Sequence, residues 1–200
     1  MKAPTGEGVG TFYRIMWRTC RTLVFSLWRL KIIGLENVPA EGGGIICPNH
    51  RSSIDPPLMS ALLPRPLYHM TKAELFAYLG WLLPSVAAYP VRRGTGDMRA
   101  MRTSLTLLRA GRLICIFPEG TRTKTGELGE ARRGATYLAA HTGVPIIPVG
   151  ISATYAFFST VTVRFGRPMH VTKSDDDAAK VMDAIAALVA LGPAGSRAEP

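Results

Sequence analysis

Cysteine is scarce in this chain. Its three copies, Cys20, Cys47 and Cys115, are odd in number, far apart and without a CxxC pair. A disulfide framework and a cysteine-based zinc site are thereby excluded, and a reducing compartment is the natural setting. Each thiol reads as a small buried apolar residue. Acidic side chains are also in deficit, 14 against 24 Lys and Arg, which leaves a net charge of +10. Such an excess suits an anionic membrane, a phosphate-bearing substrate or a nucleic acid, but no recognised DNA- or RNA-binding motif is present. There is no internal repeat, and the only low-complexity stretch is the tail at 192–200. Long uncharged apolar runs are missing too, which argues against a spanning helix and against a signal peptide. What remains is 47% hydrophobic and 19% charged, enough apolar material for one domain with a full core and too much for a disordered chain.

The basic charge is concentrated. Residues 92–133 carry ten Lys and Arg against four Asp and Glu, and residues 1–31 carry six against one. Within 11–31, Phe12, Met16, Cys20, Leu23, Leu27 and Leu30 share one face at 100° per residue. Arg14, Arg18, Arg21 and Arg29 share the other, with Trp17 and Trp28 at the boundary. Burying four arginines in a bilayer costs about 2.5–3.5 kcal/mol each. The pattern therefore predicts an in-plane helix whose apolar face enters the acyl layer and whose arginines meet anionic head groups. A helix packed on the protein's own core would show the same period.

Beyond it, short apolar runs at 32–35, 44–48, 67–71, 88–91, 113–117 and 146–151 read as strands, with an alternating one at 161–165 near a sheet edge. Helical patterns at 55–63, 97–110, 130–141 and from Ser174 to about Leu191 alternate with them, and 75–87 is helical in part, broken by Gly80 and Pro84. Ser174 ahead of three aspartates reads as an N-cap. Strands alternating with helices predict a single α/β domain with a mostly parallel central sheet flanked by helices, preceded by the amphipathic helix. The division is 1–31, 32–191 and a flexible tail at 192–200.

Two clusters carry chemistry, each released by a strand end, where open α/β sheets bind ligands. The first is Asn49-His50-Arg51-Ser52-Ser53-Ile54-Asp55. A loop turning back on itself can bring Asp55 to the ring of His50, fix its tautomer and leave the other nitrogen to take a proton from an alcohol. Ser52 and Ser53 lack a G-x-S-x-G elbow and read as turn residues. The second is Phe117-Pro118-Glu119-Gly120-Thr121-Arg122-Thr123. Arg122 can grip phosphate through its forked donors. Glu119 can accept from a substrate hydroxyl or hold Arg122, and Gly120 permits close approach of a ligand. Arg92 and Arg93, after Val91, could hold a phosphate together with Arg122. The run 144–149, Val-Pro-Ile-Ile-Pro-Val, is mainly structural and could line an apolar channel. Cys115, inside a buried strand, is a poor nucleophile, and His69, His141 and His170 read as structural.

These blocks, in this order, resemble the glycerolipid acyltransferases typified by 1-acyl-glycerol-3-phosphate acyltransferase. The resemblance spans about 34–150 and includes Gly34-Leu35-Glu36-Asn37-Val38-Pro39 and Lys72-Ala73-Glu74-Leu75. It implies that 32–191 is an acyltransferase domain, that His50 and Asp55 form the catalytic dyad, and that Arg93, Glu119, Gly120, Thr121 and Arg122 hold the glycerol-phosphate acceptor. The implied reaction moves a fatty acyl group from acyl-CoA or acyl-carrier protein to the free hydroxyl of 1-acyl-glycerol 3-phosphate, forming phosphatidic acid. Glycerol 3-phosphate, another lysophospholipid or another lipid hydroxyl are alternative acceptors, and a non-catalytic lipid-binding protein is the rival of another class. Arg92 stands where family members often have Asp, which bears on acceptor choice. Backbone amides near His50 or in the 117–123 loop are expected to stabilise the oxyanion. No metal or cofactor is expected beyond the acyl donor. The expected partners are an anionic membrane surface, a lysophospholipid and an acyl thioester, with no nucleic acid, at the cytoplasmic face of the cell membrane.

Overall fold

The computed structural model describes residues 10–92, 96–122, 128–172 and 174–193. A first helix, α1 (Thr11–Leu27), leads directly into strand β1 (Arg29–Ile33). Then follow β2 (Gly44–Pro48), α2 (Asp55–Leu62), β3 (Leu67–Lys72), two short helices α3 (Leu75–Leu79) and α4 (Leu82–Ser85), β4 (Ala88–Val91), α5 (Met98–Arg109) and β5 (Leu113–Cys115). The chain continues through α6 (Gly134–Thr142), β6 (Ile146–Ser152), β7 (Thr160–Phe165) and α7 (Asp177–Ala190). The seven strands form one sheet in the order β1-β7-β6-β2-β5-β3-β4. Every neighbouring pair is parallel except β6 with β7. This is the mostly parallel α/β domain that the alternating pattern predicts.

The sheet separates two apolar layers. On one side, Val24 of α1, Trp28 just after it, and Leu58, Met59 and Leu62 of α2 pack on Ile46, Cys115 and Ile147. On the other, Leu108, Leu138, Val181 and Ile185 from α5, α6 and α7 pack on Ile45, Ile114 and Ile146. Residues of β2, β5 and β6 are buried throughout because both faces of these central strands are covered.

The N-terminal region departs from its expected form. The helix ends at Leu27, and Arg29 to Ile33 pair in parallel with Thr160 to Arg164 of β7. The strand therefore takes residues that the sequence pattern assigns to the helix, and the boundary expected at residue 31 falls inside the sheet. The buried face is also turned by about one residue: Tyr13, Trp17 and Val24 are buried, while Phe12 and Leu23 are exposed. Boundary aromatics became the anchors because they can bury a ring and still satisfy a polar tip. Trp17 Nε1 donates to Ser60 O at 2.9 Å and Arg21 Nη1 to Ala61 O at 2.7 Å, so two carbonyls of the last turn of α2 gain donors from α1. Leu67 N donates to Tyr13 Oη at 3.4 Å. Arg21, expected on the head-group face, lies instead over the Phe25 ring at 4.3 Å.

Other differences are smaller. β7 lies between β1 and β6 and is buried, because β1 covers the edge expected for it. α7 begins at Asp177, not at Ser174; the Asp177 carboxylate accepts from Thr172 N and Ser174 N at 3.0 Å each and ties the incoming loop to the helix start. α6 begins at Gly134, four residues after the expected start. The 75–87 region breaks at Gly80-Trp81, with Pro84 tolerated inside the single turn of α4.

An apolar cleft of about 300 Å³ lies between α1 and the body of the domain, lined by residues including Met16, Trp17, Pro56, Pro57, Leu83 and Val86. Its walls come from α1, α2, β3, α4 and the start of β4, and residues 144–149 are not among them. One wall is polar: Ser60 Oγ and His69 Nε2 share a hydrogen bond of 2.6 Å, and His69 Nδ1 is buried with no partner among the described residues. Burial pushes the His69 pKa down to about 4 from 6.5.

Two stability measurements test this packing. Trp17→Ala should cost about 3–5 kcal/mol, the range for emptying a buried indole site, read as a lowered urea midpoint. His69 is neutral in the fold, and the unfolded chain takes up its proton at higher pH. Its contribution should be complete above about pH 6.5 and lost as pH falls through about 4, a change on the order of 3 kcal/mol. His69→Gln should flatten the denaturation midpoint across that window.

Candidate active site

β2 delivers the first cluster. As the strand ends, Asn49 extends its pairing with a side chain: Nδ2 donates to Ile151 O at 3.1 Å, and Oδ1 accepts from Ile151 N at 2.7 Å. The next residue, His50, is therefore launched from a fixed point at the end of β2, beside β6. The chain then turns into α2, whose first residue is Asp55, followed by Pro56 and Pro57 with the fixed φ that suits a first turn.

The turn folds Asp55 back under His50. His50 Nδ1 and Asp55 Oδ2 are 2.8 Å apart, with His50 7% and Asp55 1% exposed. The same oxygen accepts from Arg51 N and Ser52 N, each at 2.8 Å. The other, Oδ1, accepts from the Tyr155 hydroxyl, brought in by the loop between β6 and β7. A buried carboxylate so surrounded by donors is held in orientation. It commits Nδ1, and Nε2 is then the ring nitrogen available for an alcohol. Phe117 stacks on the imidazole with centroids 3.9 Å apart and planes at 23°. The dyad expected from the H-x4-D spacing is thus assembled.

The second cluster meets the first, in a different arrangement from the expected one. Glu119 is buried, and its two oxygens accept from His50 N at 2.8 Å and Gly129 N at 3.1 Å. It clamps the backbone of the loop that carries His50. Gly120 has φ +68°, and a Cβ there would stand 2.4 Å from Arg132 Nε. The glycine leaves room for the Arg132 side chain. Arg122 Nη1 donates to Ser53 Oγ at 2.5 Å, which joins the two motif loops at the surface. Thr121 is exposed beside it.

The remaining arginines divide. Arg92 and Arg132 line one pocket of about 230 Å³ together with Phe117, Pro118 and Gly120. Arg93 lies outside the described residues. Arg132, ahead of α6, is brought in by its backbone N–H, which donates to Pro118 O at 2.8 Å. Asp97 caps α5 through Arg99 N and Ala100 N and also accepts from Arg92 N. Those amides, that of Arg92 foremost, hold its carboxyl below the usual range.

Several amides of the two motif loops already have partners. His50 N bonds Glu119, Arg51 N and Ser52 N bond Asp55, Ile54 N bonds Ser52 Oγ, and Gly120 N bonds Phe117 O. Cys115 is buried in β5 with its thiol pushed well up by burial, as befits a structural residue. Tyr155 was beyond sequence reasoning. It stands 100 positions from Asp55, outside every motif, and nothing local marks it.

The Acyltransferase family model matches residues 29–152. The chain is 31% identical over 149 residues to the 1-acyl-sn-glycerol-3-phosphate acyltransferase of Bacillus subtilis, covering 70% of this chain and 74% of that protein. It is 28% identical over 167 residues to the chloroplastic LPAT1 of Arabidopsis thaliana, a 1-acyl-sn-glycerol-3-phosphate acyltransferase, covering 76% of this chain and 47% of that one. The chain thus spans about half the length of the chloroplastic relatives it matches. Its fold is similar to the crystal structure of the Thermotoga maritima 1-acyl-sn-glycerophosphate acyltransferase PlsC, with a TM-score of 0.74 at 23% identity, over 94% of this chain and 81% of that one. A matched segment of well over half the chain, holding both motif loops and the joined His50–Asp55 pair, means that this protein belongs to the acyltransferase family.

Proposed function

We propose that the chain transfers a fatty acyl group from an acyl thioester, acyl-CoA or acyl-carrier protein, to the free hydroxyl of 1-acyl-glycerol 3-phosphate, giving phosphatidic acid. The observation that carries this reading is the 2.8 Å contact between His50 Nδ1 and a buried, fully ligated Asp55. Asp55 holds the tautomer that presents Nε2 as a base. Nε2 takes the acceptor's hydroxyl proton as its oxygen attacks the thioester carbonyl. The tetrahedral intermediate collapses with loss of the thiolate, which receives that proton from the imidazolium. Arg122, at the mouth of the catalytic loop, is suited to the acceptor phosphate, with Arg92, Arg93 and Arg132 as further cations. The apolar cleft bordered by Pro56 and Pro57, next to Asp55 in the chain, suits an acyl chain.

The membrane is the natural source of such an acceptor. Among the described residues no helix is long and apolar enough to cross a bilayer. Exposed Phe12, Ile15, Leu23 and Phe25 on α1 and Leu75, Tyr78 and Trp81 on α3 and its flank offer apolar side chains instead. Phe12 and Trp81 meet edge-on at 5.9 Å and join the two groups into one surface. With a net charge of +10, this surface supports docking on an anionic leaflet, at the cytoplasmic face of the cell membrane.

A second reading keeps the chemistry and changes the acceptor to glycerol 3-phosphate, another lysophospholipid or another lipid hydroxyl. Arg92, which lines the same pocket as Arg132, favours testing it. Mass spectrometry of products from a panel of acceptors and mixed acyl thioesters separates the two. His50→Ala should reduce transfer by at least about 10³-fold with the fold retained. Arg122→Ala should chiefly raise KM for phosphate-bearing acceptors, by about tenfold. Full activity in both variants would end the assignment. Ile15→Glu combined with Leu23→Glu should lower flotation with anionic vesicles while leaving the circular-dichroism spectrum native, since both side chains are exposed.

A further inference from the structure

Asp55 is held by one group that the motif does not contain. His50 Nδ1, Arg51 N and Ser52 N all converge on Oδ2, and the opposite oxygen meets the Tyr155 hydroxyl. Resting on the reading of His50 and Asp55 as the proton-transfer pair, we infer that Tyr155 is a positioning residue of the dyad: its hydroxyl donates to Asp55 Oδ1 and fixes the carboxylate plane so that Oδ2 stays aimed at His50 Nδ1.

Three further observations support this role. First, Asp55 is 1% exposed, so an Oδ1 deprived of the hydroxyl would lose its donor at a site sheltered from bulk water. Second, the loop bearing Tyr155 is held in a disfavoured conformation. Tyr155 has φ +57° and Phe158 φ +61°, a region that bulky residues rarely occupy. Such a conformation persists only where surrounding contacts over-determine it. Those contacts come from the junction of α1 with β1. Trp28 meets the Tyr155 ring edge-on at 5.8 Å, and its Nε1 donates to Ala156 O at 3.1 Å. Phe158 N donates to Leu27 O at 2.7 Å, and Arg29 N to Ser159 O at 3.0 Å. Third, burial, and after it the Asp55 charge, push the Tyr155 hydroxyl far above its ordinary range. It therefore remains a proton donor at any working pH.

The arrangement has a consequence for the molecule as a whole. The helix read as the membrane contact ends at Leu27, and Leu27, Trp28 and Arg29 together brace the Tyr155 loop. The orientation of the catalytic carboxylate is thus built through the end of α1 as well as through the motif turn.

Tyr155→Phe removes one oxygen and keeps the ring that Trp28 packs against. The expected result is a fall in kcat of about tenfold with KM for donor and acceptor within about twofold, since the hydroxyl donates to Asp55 and acts through it. In protein carrying ¹⁵N-labelled histidine, the His50 Nδ1–H resonance should move and exchange faster with solvent. Introduced into Asp55→Asn, the same substitution should have little further effect on kcat, because Tyr155 acts through Asp55. A Tyr155→Phe protein with the wild-type His50 Nδ1–H resonance and exchange rate would overturn the inference, as would an equal loss of kcat in the Asp55→Asn background. The resonance comparison needs no turnover. If the wild-type protein transfers no acyl group, the functional reading fails while the role of Tyr155 is still decided.

Discussion

The carboxylate of Asp55 is the point on which the site is built. A charge withdrawn almost completely from water is tolerable only when donors replace the water it has lost. Here they come from three directions: the imidazole of His50, the amides of Arg51 and Ser52, and the hydroxyl of Tyr155. Meeting that requirement folds the loop after β2 back onto the start of α2 and brings in the loop after β6. The same donors that hold the carboxylate fix the position of the His50 ring, so the geometry of the proposed proton transfer follows from how the buried carboxylate is satisfied.

Glu119 repeats this logic on the opposite side of the histidine. It too is buried, and it too takes backbone donors, His50 N and Gly129 N. Two motif carboxylates therefore act on one residue, Asp55 through the ring and Glu119 through the main chain. With Phe117 stacked on the imidazole, His50 is restrained at its amide, at Nδ1 and across its face. Such restraint holds a base in a reactive geometry before substrate arrives.

The N-terminal helix serves the fold as well as any surface it meets. Trp17 and Arg21 supply donors to the carbonyls at the end of α2, the helix that begins with Asp55. Trp28 braces the loop that brings Tyr155 to the other end of the same helix. α1 is therefore joined to α2 directly at one end and through Tyr155 at the other. Its outer face keeps Phe12, Ile15, Leu23 and Phe25 in solvent beside the exposed side chains near α3. A segment that would otherwise be an appendage is thereby tied to the geometry of the site.

Sequence alone determined whatever depends on short-range spacing. Strand ends released both motif loops, five residues were enough for a turn to return Asp55 to His50, and continuous apolar runs marked strands covered on both faces. It also determined that the chain alternates strand and helix, and hence the mostly parallel sheet. Only the tertiary structure decided which partner each polar group would meet. Glu119 could have held a substrate, Arg122 or a backbone amide, and its position beneath the end of β2 selected the amides of His50 and Gly129. Residues 29–31 fit a helix period, yet the pairing of β1 with β7 drew them into the sheet. Trp17 looked like an interfacial residue until α2 offered it a carbonyl. Tyr155 carries no local signal at all, because a contact across 100 positions is specified by the packing of β6, β7 and α1 together rather than by any spacing along the chain.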